Sequence, residues 1–403
     1  MADSDARPFL DLHGPAFHAD PHAALRAARE QHWCAETAMG PAILRFQEVQ
    51  AALSRRTLRS GGPDSLAMQG ITEGPLAELM ASFLLNSEGA THDRLRRLVG
   101  RSFTMRRVEA LRPLITATAH ALIDEIAGRG RCDLVAAFSD PFARRVLCAF
   151  VGFPPDAQAR VRRWTGDIGL LFGFGVAEHR ARIEASLAEF HAYVDELVAA
   201  RRRAPGDDLV SDLVTAEAAS DALSQAELRA MIITFLTAGS DTVLHQLGHA
   251  FATFLAHPEQ WRLLAEEPEL AGQAAEEIVR YSPASLIGLP RVATEDVEIG
   301  GRVFLRGSFI LPITGAANRD PQVFVEPDRF DITARRRPHL TFGGGIHHCL
   351  GAALARAELQ IALPLLARRL GEFAADGPAE WLPPTLAVYG PAQFPVAYHA
   401  PAA

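Results

Sequence analysis

Lysine is missing from this chain altogether. All forty of its permanently charged basic side chains are arginine, joined by 15 histidines. Its cationic contacts are therefore planar forks suited to carboxylates. Cysteine is scarce: Cys34, Cys132, Cys148 and Cys349 form no CxxC pair and no zinc-like spacing, which argues against a disulfide framework and points to a reducing compartment. Long apolar runs are also absent. Nothing approaches the ~20 residues that span a bilayer, and Met1 to Leu12 has neither a basic nor an apolar leader segment. These absences imply a cytoplasmic protein without a membrane anchor. An excess of cations is missing too: 48 acids against 40 bases give a net charge of -8, without the basic field that draws nucleic acid. No internal repeat or low-complexity tract interrupts the 403 residues, whose 48% apolar content suffices for one large core or two joined ones.

What is present centres on Phe342-Gly343-Gly344-Gly345-Ile346-His347-His348-Cys349-Leu350-Gly351. A lone cysteine follows a glycine-rich turn and precedes an alanine-rich run, Ala352 to Leu370, that reads as a helix. Cys349 then sits at a helix N-terminus, where free N–H groups and the dipole favour a thiolate able to bind a metal. A buried thiol at a loop–helix junction is the alternative. Pro364 should kink that helix near Gln360. Upstream, Ser224-Gln225-Ala226-Glu227 is a capping box opening a helix that should run to His257. Its middle lacks sidedness, which marks a helix buried through the protein, and it contains Ala238-Gly239-Ser240-Asp241-Thr242. A buried acid beside a hydroxyl in mid-helix is costly unless paired or used, although Thr242 could simply bond back to a carbonyl.

Other segments complete the pattern. His92 and Arg96, four apart, can reach one anion from one helix face, or form a solvated basic face. Glu277 and Arg280 share a face of another helix. Helical spacing recurs at Pro21–Gln31, 47–54, 108–128, 142–151, 155–170 and 177–203. Ala42 to Phe46 reads as a strand and Val297 to Phe304 as a hairpin with a Gly-Gly turn. Arg59 to Glu88 reads as a long irregular loop, Leu170 to Gly175 as a glycine-punctuated interruption, and Leu386 to Ala397 as a strand pair turning near Tyr389-Gly390-Pro391.

Phe-Gly-x-Gly-x-His-x-Cys-x-Gly at 342–351 resembles the haem-thiolate loop of the cytochrome P-450 family, and 238–242 resembles its oxygen-activation motif. His92-x-x-x-Arg96, Glu277-x-x-Arg280 and Pro327-Asp328-Arg329-Phe330 follow in family order. The resemblance implies a mainly α fold with a minor β part: a helical domain around a long central helix plus a small β-sheet domain. It implies one catalytic unit over 1–403, with 1–62 and 283–335 β-rich and 63–282 and 336–375 helical and haem-binding. Cys349 is then the iron ligand, beside Phe342, Gly343 and Gly351. Ala238 and Gly239 lie over haem b, while His92, Arg96, Arg291 and His347 hold its propionates. Asp241 and Thr242 become the proton-delivery pair, and Glu277, Arg280 and Arg329 a buried structural triad. Family position further makes Leu84, Phe174, Thr234, Thr237, Ala238, Ile287, Leu289 and Val388 substrate-lining. The implied activity is monooxygenation of a C–H bond in a medium-sized, mostly hydrophobic molecule, in bacterial secondary metabolism or catabolism. Dioxygen is the co-substrate, and electrons come from NAD(P)H through an external ferredoxin and ferredoxin reductase, docked near Arg97, Arg101, Arg106 and Arg107. The expected protein is a monomer. Oxidative coupling, epoxidation, dealkylation and a non-catalytic haem or zinc protein are the alternatives.

Overall fold

The computed structural model describes residues 6–217, 223–384 and 387–399. Ser224 begins the organising element: its hydroxyl accepts the Glu227 N–H at 3.2 Å, and the Glu227 carboxylate accepts the Ser224 N–H at 2.9 Å. The capping box satisfies two donors that would otherwise be orphaned. The helix then runs from Gln225 to Ala256 and ends before Pro258, about 48 Å at 1.5 Å per residue. It is buried on nearly every side from Leu228 to Phe254, as the unsided sequence predicts. The helices Asp140–Val151 and Gln158–Gly169 pack along it, and Val176–Arg203 crosses it.

On the other side, the helix Ala352–Leu370 packs against Met105–Ala127 and Ala271–Tyr281. Pro364 does not end that helix. It is buried inside it, where packing from both neighbours outweighs the lost backbone bond.

A five-stranded sheet draws on distant stretches, in the order Cys34–Thr37, Gly40–Ile43, Phe309–Pro312, Arg291–Ala293, Leu58–Ser60. Only the second and third of these pair in parallel. The hairpin Val297–Ile299/Arg302–Phe304 turns through Gly300 and Gly301 at φ 58° and 79°, a left-handed pair that requires glycine. Two expectations fail here. The stretch 59–88 contains the helices Gly62–Ala67 and Pro75–Ser82, each with a proline in its first turn. The strands Pro391–Gln393 and Pro395–Tyr398 pair with other segments, not with each other, and Leu386 lies outside the described residues. Among the described residues, no helix is long and apolar enough to cross a membrane.

Candidate active site

Gly343 and Gly345 adopt φ 73° and 62°, and a Cβ at Gly345 would stand 2.8 Å from the Leu53 carbonyl oxygen. The loop is thereby pressed onto the helix Phe46–Ser54. The Cys349 N–H donates to the Phe342 carbonyl at 2.8 Å, closing the loop on itself. The Gly351 and Ala352 N–H groups point at the sulfur, as a helix N-terminus should. Burial nevertheless dominates and pushes the thiol up, opposed by those N–H groups and by Arg96 and Arg356. Cys349 is surrounded by protein yet exposed, so its sulfur borders a gap.

Ala238 is exposed within an otherwise buried stretch of the central helix. Gly239 lets the helix press on Leu147, since a Cβ there would stand 3.0 Å from that side chain. The Thr242 hydroxyl donates to the Ala238 carbonyl at 2.9 Å. Burial, then Asp140, raises the Asp241 carboxyl to about 6, opposed by Arg144. The Thr237 and Ser240 hydroxyls are buried without a partner, while Thr234 bonds back to Ala230 at 2.6 Å.

A cationic corner lies beside the loop. Arg291 is 1% exposed, and its Nε and Nη1 have no partner. Burial lowers it to about 10, opposed by Glu88. The Nε2 of His92 is likewise buried and unpartnered, its Nδ1 lying 3.2 Å from Asp93. The rings of His92 and His347 meet edge to face at 4.8 Å. His347 Nε2 lies 3.1 Å from Glu88, and Arg96 donates to the His348 carbonyl. Orphaned donors such as those of Arg291 are rare unless an anion completes them. An iron-bearing group with two carboxylates would fit the set: Arg291 offers free donors, His92 an unpartnered ring nitrogen that donates once the ring is protonated, and Cys349 a sulfur. Among the described residues, no group of three His, Cys, Asp or Glu side chains could hold a metal ion, so zinc-like coordination by His347, His348 and Cys349 does not form. Glu88 escaped the sequence reading because a single acid at a loop end carries no spacing signal.

Two assignments change. Glu277 and Arg280 form a buried bidentate pair at 2.7 and 2.8 Å. The third partner is Arg336, 3.4 Å from Glu277; the Arg329 side chain is 63% exposed beside Glu326 and Asp331. Arg329 contributes only its carbonyl, which accepts from Arg280 and Arg336. Phe174 is 42% exposed against His13, whereas half-buried Phe172 stacks on Phe83 beside buried Leu84. Gly173 and Gly175 turn the chain so that the second phenylalanine faces outward. Ile287, Leu289 and Val388 are half-buried.

Comparison with known proteins fits this arrangement. The Cytochrome P450 family profile matches residues 170–372. Luteothin monooxygenase of Streptomyces thioluteus is 38% identical over 398 residues, covering 98% of this chain and 96% of that one. The chain belongs to the cytochrome P450 family. Mycinamicin IV hydroxylase/epoxidase of Micromonospora griseorubida is 36% identical over 92% of each chain. The crystal structure of CalO2 superposes with a TM-score of 0.91 at 32% identity, covering 98% of this chain and 99% of that one. As a P450, this protein is a haem-thiolate monooxygenase that takes electrons from external partners, and its mainly α fold with small sheets is the family's.

Proposed function

We propose that this P450 oxygenates a medium-sized, mostly apolar secondary metabolite, using haem b and electrons delivered from NAD(P)H by a ferredoxin and its reductase. The observation that supports this reading is the set of buried, unpartnered Arg291 and His92 nitrogens together with an exposed Cys349 at the start of its helix. Cys349 Sγ would ligate the haem iron, with Phe342, Gly343 and Gly351 flanking it. Arg291 and His92 would hold the haem carboxylates, with His347 and Arg96 fixing the loop. The bound haem supplies dioxygen activation and oxygen transfer.

The chain's own residues supply protons, dryness and orientation. Asp241, raised to about 6, takes up and releases a proton near neutral pH. Thr242, one residue on, relays it while its hydroxyl rests on the Ala238 carbonyl. Thr237 offers its unpartnered hydroxyl to an oxygen of the substrate, and Thr234, Leu84, Phe172, Ile287, Leu289 and Val388 form the apolar walls. Phe174, 42% exposed, is left out of these walls. The cytoplasm and a monomeric state complete the proposal, the first from the scarcity of cysteine and of apolar runs. The relative named as both hydroxylase and epoxidase favours a second outcome, epoxidation, where the substrate presents a double bond at the same position.

The test is the reduced protein under carbon monoxide. Native protein should give the long-wavelength Soret band of thiolate ligation, and Cys349→Ser should lose it. A long-wavelength band that persists in Cys349→Ser would remove the ligand assignment. Thr242→Ala should keep haem and substrate binding yet divert electrons to peroxide, measured as product formed per NAD(P)H consumed. Unchanged coupling would remove the proton role.

A further inference from the structure

Beyond Thr242 the central helix carries four buried polar side chains with no part in oxygen activation: Thr253, which bonds back to the His249 carbonyl, and His245, Gln246 and His249. Gln246 bridges two backbone groups of the segment that follows the helix Ala271–Tyr281. Its Nε2 donates to the Ser282 carbonyl at 2.9 Å, and its Oε1 accepts the Ala284 N–H at 3.0 Å. His249 joins that segment to the C-terminal turn. Its Nε2 lies 3.1 Å from the Tyr389 carbonyl and its Nδ1 2.8 Å from the Ser282 hydroxyl. A carbonyl only accepts, so Nε2 carries the proton and Nδ1 accepts from Ser282. Burial lowers His249 to about 3, so the neutral ring keeps this single tautomer at neutral pH. The Tyr389 N–H donates to the Ala284 carbonyl at 2.8 Å, closing the circuit. His245 backs the turn, since a Cβ on Gly390 would stand 2.7 Å from its Cβ. Trp381 and Tyr389 flank the His249 ring at 5.1 and 4.7 Å.

Neither joined segment owns a regular hydrogen-bonding ladder: 282–290 and 387–390 are irregular. Their backbone groups must find partners elsewhere, and helix side chains provide them. Because each amide and imidazole is satisfied on two sides, a shift of either segment leaves a buried polar atom unpaired. The first segment carries Ile287 and Leu289, and the second carries Val388. We propose that Gln246 and His249 are positioning residues for substrate specificity, which lock these two pocket walls to the central helix and to each other. This rests on the reading of Ile287, Leu289 and Val388 as pocket-lining.

The experiment uses the haem-loaded enzyme and two probes followed by haem absorbance, imidazole and the bulkier 4-phenylimidazole. His249→Phe keeps the ring volume but removes both hydrogen bonds, and Gln246→Glu puts an acceptor against the Ser282 carbonyl. Both should keep the thiolate carbon monoxide band and bind imidazole as the native enzyme does. Both should lose affinity for 4-phenylimidazole by about tenfold, the effect of a wall displaced by a fraction of an ångström. His249→Gln, which restores one donor and one acceptor, should recover most of it. Native-like 4-phenylimidazole binding in both variants, or an equal loss for the two probes, would overturn the proposal. Should His249→Phe fail to take up haem, the milder Ser282→Ala, which removes one bond of the clamp, decides by the same ratio. Val388→Trp separates the two readings: it should block 4-phenylimidazole while sparing imidazole. If it does so and the clamp variants do not, only the clamp is lost; if it spares both probes, the lining reading falls and the clamp with it.

Discussion

Asp241 sets burial against charge at a single atom pair. Its carboxyl is raised from 3.8 to about 6, first by burial and then by Asp140. The folded state therefore binds more protons than the unfolded chain between those values, so stability falls as pH rises through that window and stays lower above it. A shift of this size corresponds to on the order of 3 kcal/mol. Asp241→Asn should accordingly raise the denaturation midpoint at pH 8, with a smaller gain at pH 5, while product per electron falls. An equal gain at both pH values would show that the carboxyl is not held neutral by its surroundings. Asp241 and Thr242 were legible because the chemistry repeats in the order of letters. Glu88 was not legible, since its value comes from lying 3.1 Å from His347, far away in sequence.

Elements were read best where their ends carry local signals. The capping box and Pro258 bounded the central helix to within a residue, and Pro21–Gln31 matched at both ends. Ser224→Ala should cost about 1 kcal/mol in chemical denaturation, the usual worth of such a cap. The segment 59–88 was misread because two helices of eight residues or fewer give periodicity too little length to register. The Arg329 assignment failed for a different reason: a motif fixes which residues recur, not which of several arginines in 329–337 turns inward. Arg336 is the one whose guanidinium reaches Glu277, at 3.4 Å and 14% exposure. Arg336→Ala should therefore lower the stability of the haem-loaded enzyme by roughly 3 kcal/mol, as for other broken buried pairs. Arg329→Ala should stay within about 0.5 kcal/mol, as for an exposed pair. Denaturant titration of the two variants distinguishes them, and the reverse order would restore the motif's assignment.

At the scale of the whole molecule, two things were hidden from the letters. The sheet joins strands near residue 40 to strands near residue 300, and pairing over that distance has no periodic trace. The charge map is the second. A net charge of -8 conceals a run of arginines, Arg94 to Arg107, that begins where Arg96 donates to the Cys349 loop. Arg101 and Arg106 are exposed and flank Met105 in sequence, itself 62% exposed, and Arg96 donates to the His348 carbonyl. Arg107, also expected in this patch, instead pairs with Asp207 at 2.7 Å and is committed to the fold. An apolar point ringed by cations suits a small acidic electron carrier, whose encounter is steered by charge and sealed by a few apolar contacts. Electron delivery from a reduced ferredoxin should then slow as salt rises from 50 to 500 mM, because the Debye length shrinks over about that range from near 14 Å to near 4 Å. Arg101→Glu with Arg106→Glu should lower the second-order reduction rate by about tenfold at low salt and flatten its salt dependence. Arg107→Gln should leave the rate unchanged, because its charge is already paired with Asp207. A rate indifferent to salt, or one that falls equally for Arg107→Gln, would move the docking surface off these arginines.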